Sequence, residues 1–253
     1  MLPVERKRRI VELVTRKSIA SITALSKELG VSEATIRRDI AEIEQEGLLK
    51  RTYGGVFVDR SANIEPPFPE RVENEVEQKM RIAQKAAEMI DDGDHIILDS
   101  GTTTPFIAKN IVNRRDIIVV TPDMNVAIQL REATGIKVIV TGGVLYRSGY
   151  VLNGMPALEF LNTVHVQKLF LGAQAVHPTY GITQTESELV QSKQAMIKAA
   201  QQTVLCADHT KIGKVTLHTV AQMQEIHTFI TGTEAPTEQL IEFRDNGVRV
   251  VTA

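Results

Sequence analysis

The sequence predicts an α/β protein with a small helical N-terminal unit and a larger C-terminal domain built on a mostly parallel sheet. Two patterns predict this division. Residues 1–57 contain three helical stretches and then a Gly-Gly turn between β-like stretches. From Glu77 onward, short β-branched runs alternate with helical segments, as they do in parallel α/β sheets.

The first two helices are recognised by their ends. One is predicted from Pro3 to about Thr15, because proline suits a first helical turn. A second helix has Leu25 and Leu29 on its apolar face. It ends at Gly30, since glycine enters the left-handed region at no steric cost. The short turn at this glycine leads directly into a third helix.

The third helix carries the side chains that a DNA-binding unit needs. It runs from Ser32, a good N-cap, to Glu46, before Gly47. Its inward stripe is Ile36, Ile40 and Ile43. Another face carries short polar and basic side chains, which in a helix-turn-helix lie in the major groove and contact bases or phosphates.

A hairpin after the third helix, KRTYGGVFV, adds basic residues that would meet backbone phosphates, as in the wing of a winged helix. The predicted DNA-binding residues of the helix and the hairpin are Ser32, Thr35, Arg37, Arg38, Lys50 and Arg51. The alternative for this unit is a three-helix scaffold that binds no nucleic acid.

A proline-rich segment separates the two parts. VDRSANIEPPFPERVENEVEQ has little apolar periodicity and contains Pro66, Pro67 and Pro69, and proline favours extended backbone. The predicted organisation is a winged helix-turn-helix at 1–57, an extended linker at 58–76 and an α/β domain at 77–253. The alternative is an ordinary long loop inside a single domain.

The segment Asp99–Thr104 follows the first predicted strand of the α/β domain and enters a helix. Ligands of parallel sheets bind beyond the carboxyl ends of the strands. Glycine and hydroxyl residues at a helix N-terminus offer N–H groups, hydroxyls and the positive end of the helix dipole, which suit a phosphate. The predicted phosphate-binding residues are Asp99, Ser100, Gly101, Thr102, Thr103 and Thr104. The alternative is simple N-capping by one threonine, and no GxxxxGK[ST] nucleotide loop is present.

Polar residues and glycines that follow the other predicted strands are expected to line the same pocket. An aspartate can hold sugar hydroxyls, a lysine can pair with a phosphate, and glycine permits close backbone approach. The other predicted effector-binding residues are Thr121, Asp123, Gly142, Gly143, Gln174, Glu186, Lys193, Asp208 and Lys211.

Composition and charge narrow the class of protein. Residues 1–60 carry 12 basic and 9 acidic side chains, and the remainder carries 17 and 22, as a DNA-binding domain joined to a small-molecule domain would. No apolar run approaches the ~20 residues of a membrane span, and the charged N-terminus lacks a signal-peptide core, so a cytoplasmic protein is expected. The single cysteine, Cys206, cannot form an internal disulfide, and the histidines have no zinc-site spacing, so neither metal nor cofactor is predicted.

Two sets of motifs resemble one known family. ELGVSEATIRRDIAEIEQEGLLKRTYGG resembles the N-terminal signature of the DeoR family of transcriptional regulators, and LDSGTTT, TGG, LGAQAV, GIT and ADHTKIG fall in the order of its sensor domain. The resemblance covers nearly the whole chain. It implies a sensor similar in fold to ribose-5-phosphate isomerase, with phosphorylated sugars or sugar-like metabolites as effectors.

The resemblance also assigns two loops. The family's phosphate loop maps onto Asp99–Thr104, and its lysine-bearing loop maps onto Asp208–Gly213. Pro122 and Gln174 stand where many members of the family carry asparagine and aspartate. A change from carboxylate to amide alters the recognition of hydroxyl groups, so the identity of the effector does not carry over.

The sequence therefore predicts a sequence-specific transcriptional regulator and not an enzyme: a repressor of a carbohydrate-utilisation operon that a phosphorylated sugar releases from double-stranded operator DNA. Two half-sites on a two-fold axis predict a homodimer or homotetramer assembled through the C-terminal domain. Two alternatives stay open. One is a sugar-phosphate isomerase-like enzyme fused to a DNA-binding domain, whose possible bases are Asp123, Glu186, Glu188 and Asp208. The other is an activator, since the sign of regulation depends on the position of the operator.

Overall fold

A computed structural model of the chain describes residues 2–17, 19–45, 49–52, 54–57, 65–146 and 149–253. The predicted end of the third helix at Glu46 and Gly47, and residues 58–64 of the predicted linker, lie outside these ranges. Within them, no helix has the length and apolar character needed to cross a membrane. The N-terminal elements are α1 Pro3–Lys17, β1 Ile19–Ser21, α2 Ile22–Leu29, α3 Glu33–Gln45, β2 Lys50–Thr52 and β3 Gly55–Phe57.

The N-terminal unit is a helix-turn-helix with a small antiparallel sheet. Its three helices pack around one core, to which the predicted stripe of α3 contributes Ile36, Ile40 and Ile43, all fully buried. Gly30 caps α2 in the left-handed region, with φ of 67°. Ser32 then accepts a hydrogen bond from the backbone N–H of Thr35 at 3.2 Å, so it caps the start of α3 as its position predicts.

Strand β1 is not apparent in the sequence, because three residues are too few to show a period of two. It pairs antiparallel with β3, which also pairs with β2, so the sheet order is β1-β3-β2. A Cβ placed on Gly55 would lie 2.7 Å from the carbonyl oxygen of Ala20. The second glycine of the wing therefore permits the close approach of β3 to β1.

A seven-stranded sheet organises the C-terminal domain. Its order is β15-β14-β12-β9-β4-β5-β6, and every neighbouring pair is parallel. Its faces pack against two separate apolar clusters: Leu169 and Leu171 lie in one and Phe170 in the other, because successive strand residues face opposite sides. The C-terminal elements are α4 Phe68–Glu73, α5 Val76–Ala87, β4 His95–Leu98, α6 Thr104–Ile111, β5 Ile117–Thr121, α7 Met124–Leu130, β6 Ile136–Val140, β7 Val144–Tyr146, β8 Val151–Asn153, α8 Met155–Leu161, β9 Val166–Leu171, β10 Ala175–His177, β11 Gly181–Gln184, α9 Ser187–Ala199, β12 Ala200–Cys206, β13 His218–Ala221, β14 Thr228–Thr231, α10 Thr237–Asp245 and β15 Arg249–Thr252, with 3-10 helices at His209–Lys211 and Met223–Glu225.

The run KLFLGAQAV has the pattern of a single β-strand, but it divides between two sheets. Its first half is β9 in the centre of the main sheet. Its second half is β10, which belongs to a three-stranded antiparallel sheet of order β10-β11-β13. The residues between the two strands, 172–174, therefore lie at the carboxyl end of β9, where a ligand would bind.

Part of the predicted linker is helical and not extended. Helix α4, Phe68–Glu73, lies inside 58–76, with Pro67 at its N-cap and Pro69 in its first turn. Proline is tolerated at both positions because the first N–H groups of a helix have no partner within the helix. The expectation of extended backbone throughout this segment is therefore wrong at 68–73.

The N-terminal unit also packs on the C-terminal domain. Tyr180 and Val215 contact the core of the winged helix. A cleft between the two parts is lined by Arg8 and Val11 of α1 and by Leu217 beyond Val215. Residues 215–217 thus follow the 3-10 helix His209–Lys211 and reach α1.

Candidate functional site

An open cleft of about 770 Å³ lies at the carboxyl ends of the three central strands β4, β9 and β12. Each of these strands is followed by residues that line it, as parallel sheets require of their ligand sites. The residues that line the cleft are Glu65, Arg71, Ser100, Gly101, Thr102, Thr103, Thr104, Gly149, Val151, Gly172, Ala173, Gln174, Gln184, Glu186, Leu189, Lys193, Cys206, Ala207, Asp208 and Lys211.

The predicted phosphate loop, Ser100–Thr104, connects β4 to α6 and forms one wall of the cleft. Within the described residues, the main-chain N–H groups of Thr102 and Thr103 donate to no main-chain carbonyl. Thr104 is fully buried, and its Oγ1 has no hydrogen-bond partner among the described residues. Thr103, at the N-cap of α6, makes no side-chain capping bond. The loop therefore presents unsatisfied donors at a helix N-terminus, as an anion site does.

Asp99 lies behind this loop and does not line the cleft. Its carboxylate forms a buried ion pair with the Nζ of Lys193, which does line the cleft. Asp99 Oδ2 also accepts from the N–H of Gly172 at 3.0 Å, and Lys193 Nζ donates to the Gly172 carbonyl at 3.0 Å. This network joins the ends of β4 and β9 to α9 and keeps the ammonium group at the wall.

Thr121 and Asp123 also support the loop from outside the cleft. Thr121 Oγ1 donates to the carbonyl of Leu98 at 2.8 Å. Asp123 Oδ2 accepts from the N–H of Gly101 at 3.0 Å, while Oδ1 caps α7 through the N–H of Asn125 at 2.6 Å. Burial raises the pKa of Asp123 to about 6, although these N–H donors oppose the rise.

The other predicted effector-binding residues likewise include some that line the cleft and some that lie outside it. Gly142 and Gly143 are outside the cleft, and a Cβ on Gly143 would lie 2.3 Å from the carbonyl oxygen of Asn153, so this glycine serves close packing. Gln174 and Glu186 line the cleft. Gln174 is held by its Oε1, which accepts from the N–H of Thr185 at 2.9 Å, whereas Glu186 Oε2 is buried without a partner among the described residues.

Asp208 and Lys211 reach the cleft from the segment after β12. Asp208 caps the 3-10 helix by accepting from the N–H of Thr210 at 3.0 Å. Lys211 has no ion-pair partner among the described residues. Its ammonium group is therefore available to pair with an anionic ligand.

Ten of the lining residues were not predicted to bind the effector, and among them Glu65, Arg71 and Gln184 bring charged or amide side chains. Arg71 and Glu65 come from the predicted linker and form an ion pair of 2.7 Å. Burial raises the pKa of Glu65, and Arg71 counteracts this rise. The charges in EPPFPER were the only sequence signal for these two residues, and they do not reveal that the segment folds back onto the cleft.

The described residues offer neither a cluster of metal ligands nor a readily ionised thiol. No group of three or more His, Cys, Asp or Glu side chains is placed there to hold a metal ion. Cys206 borders the cleft, but burial raises the pKa of its thiol, so the nucleophilic thiolate is disfavoured.

The predicted DNA-binding face of α3 is exposed. Arg37 and Arg38 project into solvent, and Arg37 lies 3.5 Å from Glu33 one turn earlier. The hydroxyls of Ser32 and Thr35 are 2.9 Å apart. This face therefore combines short hydroxyl side chains with two guanidinium groups that could reach a major groove.

Lys50 and Arg51 lie on the exposed wing strand β2. Arg51 is held by Glu44 of α3, through an ion pair and through its own N–H, which donates to Glu44 Oε1 at 3.0 Å. A phosphate contact by Arg51 would therefore compete with an intramolecular carboxylate. Lys50 lies on the same strand and is exposed.

An ion pair between α1 and α3, which the sequence pattern did not indicate, positions α3. Arg6 of α1 donates to both carboxylate oxygens of Asp39, at 2.6 and 3.0 Å. Asp39 is 3% exposed, so this bidentate pair is mostly shielded from solvent. It fixes the rotation of α3 and thereby the direction in which Arg37 and Arg38 point.

Comparison with known proteins agrees with this architecture. The family described as "DeoR-like helix-turn-helix domain" matches residues 6–62, and "DeoR C terminal sensor domain" matches residues 74–233. The chain is 36% identical to the HTH-type transcriptional regulator GlpR of Haloferax volcanii, over 99% of this chain and 98% of that protein. It is 32% identical to the putative aga operon transcriptional repressor of Escherichia coli O157:H7, over 98% of this chain and 93% of the relative.

Among solved structures, ribose 5 phosphate isomerase A from Neisseria gonorrhoeae is similar with a TM-score of 0.39 and 16% identity, over 53% of this chain and 52% of that one. The family matches together span the winged helix and most of the α/β domain, and the curated relatives align along nearly their full length. The chain therefore belongs to the DeoR family of transcriptional regulators, with an N-terminal DNA-binding helix-turn-helix and a C-terminal sensor domain for a small-molecule effector.

Proposed function

We propose that the protein represses a carbohydrate-utilisation operon and leaves its operator when a phosphorylated sugar or sugar-like effector binds the cleft. In this proposal residues 1–57 bind DNA, 58–76 connect the domains and 77–253 sense the effector. Relatives named as repressors, such as the putative aga operon transcriptional repressor of E. coli, support repression over activation.

The observation that carries the proposal is the unsatisfied loop at the N-terminus of α6. The buried hydroxyl of Thr104 has no partner, and a buried polar group without one is unfavourable by about 1–3 kcal/mol. A phosphate oxygen would satisfy it together with the N–H groups of Thr102 and Thr103. Lys211, which has no ion-pair partner among the described residues, brings positive charge to the same cleft, which supports an anionic ligand.

The segment 208–217 is the route by which we expect the effector to act on DNA binding. It begins at the cleft, where Lys211 lies. Gly213 anchors it to the small sheet through its N–H, which donates to the carbonyl of Val176 at 2.9 Å. It then reaches Val215, which packs on the winged-helix core. A coupling of ~1–3 kcal/mol along this route would change operator affinity about 5- to 150-fold.

The test uses a Thr103→Val, Thr104→Val double variant. An operator is first selected in vitro from random duplexes, and sugars are then titrated in phosphorylated and dephosphorylated form against the protein and its DNA complex. The phosphorylated form should bind the wild type and release DNA, and the double variant should bind the operator normally but ignore the sugar. By reciprocity, operator DNA should weaken effector binding by the same factor.

Thr231→Val is the matched control, because Thr231 Oγ1 is likewise buried without a partner but lies outside the cleft. Equal binding of phosphorylated and dephosphorylated sugar to the wild type would refute the phosphate assignment. An unchanged response in the double variant would move the site elsewhere. We also expect no turnover of any aldose phosphate by the wild type, and turnover would favour the isomerase-like alternative.

A further inference from the structure

A second cavity of about 960 Å³, including its open mouth, adjoins the cleft. Arg71, Gln174, Asp208 and Lys211 line both spaces, so a single ligand could extend from one to the other. None of the hydroxyls of the phosphate loop lines the second cavity. A ligand in the second cavity would therefore be held by other side chains than those of the phosphate loop.

Basic side chains outnumber acidic ones by one in this cavity, where Arg71 and three lysines face Glu65, Glu75 and Asp208. Lys79, Lys211 and Lys214 line it, and none of the three has an ion-pair partner among the described residues. Lys79 is 2% exposed and donates to the main-chain carbonyls of Arg71 and Asn74. Burial lowers the pKa of Lys79 and of Lys214. The carboxylate of Asp208 opposes this fall in both lysines, and the nearby Lys211 adds to it. An anion placed among them would relieve this mutual repulsion.

The acidic side chains of the cavity are already engaged. Glu65 pairs with Arg71 at 2.7 Å, and Asp208 accepts from the N–H of Thr210 at 3.0 Å. Glu75 accepts from Gln78 at 3.5 Å. None of these carboxylates forms an ion pair with the three lysines, although Asp208 acts on Lys79 and Lys214 from a longer distance.

An unsatisfied hydroxyl gives an independent sign of a missing ligand. Thr216 lines the second cavity as well as the cleft beside α1, it is 6% exposed, and its Oγ1 has no hydrogen-bond partner among the described residues. Its backbone is held by an N–H that donates to Thr183 Oγ1 at 2.8 Å. A buried hydroxyl without a partner, in a cavity that is also lined by lysines, fits an oxygen-rich anion.

We infer that the second cavity binds a second anionic group of the effector, through Lys79, Lys211, Lys214 and Thr216. The effector is then a sugar derivative that carries two separate anionic groups. The class includes sugar bisphosphates and sugar phosphates that carry a carboxylate. The inference rests on the proposed function, since the first phosphate occupies the loop Ser100–Thr104.

The position of this site has a consequence for regulation. Lys214 and Thr216 flank Val215, which packs on the winged-helix core. An anion that draws these two residues together acts directly on the segment that contacts the DNA-binding domain. An effector with two separate anionic groups should therefore release operator DNA more strongly than a sugar monophosphate does at equal site occupancy.

The experiment is calorimetric titration of the full chain with two pairs of probes, fructose 6-phosphate against fructose 1,6-bisphosphate and glucose 6-phosphate against 6-phosphogluconate. In at least one pair, the probe with two anionic groups should bind the wild type at least 10-fold more tightly than the monophosphate does. Lys214→Gln and the isosteric Thr216→Val should each bring that ratio toward one. Lys198→Gln, which removes an exposed lysine of α9, should leave the ratio unchanged.

Three outcomes would overturn the inference. If both members of each pair bind equally, or if the preference survives both variants, the second site is rejected while the proposed function stands. In that case monophosphate binding still depends on Thr103 and Thr104. If no probe of either kind binds the wild type, the phosphate proposal fails as well.

Discussion

Thr104→Val tests the phosphate loop because its two expected effects have opposite signs. Thr104 is fully buried and its Oγ1 lacks a partner among the described residues. Valine has nearly the same shape, so the substitution removes an unsatisfied hydroxyl without leaving a cavity. Such a group destabilises the fold by about 1–3 kcal/mol, so we expect a gain of at least ~1 kcal/mol and a Tm raised by about 2–4 °C.

The same substitution should weaken the binding of a phosphorylated sugar. In the complex the hydroxyl would donate to a charged phosphate oxygen, and such a hydrogen bond contributes about 1.5–3 kcal/mol. The Kd should therefore rise about 10- to 150-fold. A merely structural threonine would not combine a more stable free protein with a weaker complex.

Thermal denaturation of the free chain and calorimetric titration with a sugar phosphate measure the two effects. Thr231→Val should raise the Tm in the same way but leave the Kd unchanged, since Thr231 lies on β14 away from the cleft. A lower Tm for Thr104→Val together with an unaltered Kd would refute the reasoning, because the hydroxyl would then be satisfied within the protein.

Three further predictions concern other parts of the molecule. Arg38→Ala should weaken operator binding by ~1–3 kcal/mol, measured by fluorescence anisotropy, and leave effector affinity unchanged; wild-type affinity would mean that α3 is oriented differently on DNA. Burial holds the pKa of Asp123 at about 6, above its ordinary value of 3.8, so the folded state binds this proton more tightly and the associated stability is lost as the pH rises through about 6. Asp123→Asn should flatten the change in the free energy of unfolding between about pH 4 and 7, and an unchanged profile from chemical denaturation would contradict the assignment. Sedimentation should give a mass of at least two 28.0 kDa chains, since one winged helix contacts one half-site, and a single-chain mass with full operator affinity would exclude the dimer or tetramer.

Local sequence patterns were sufficient for the features that involve only a few neighbouring residues. The stripe Ile36, Ile40 and Ile43 follows from the helical period, and the cap at Gly30 follows from a backbone conformation that other residues rarely adopt. The loop Ser100–Thr104 is recognisable because its donors all come from one short segment. In each case the physical constraint acts within about two helical turns.

Which polar residues reach the cleft was decided by the tertiary structure. Asp123 and Asp208 both follow a strand of the sheet, and the sequence pattern predicted for both that they bind the effector. Asp208 follows β12, one of the three central strands, and lines the cleft, whereas Asp123 follows β5, one strand further out, and supports the loop from behind. Arg71 enters the cleft only because the proline-rich segment folds back over it. Strand order and the path of a connecting segment depend on contacts between residues far apart in the chain, and no local period encodes such contacts.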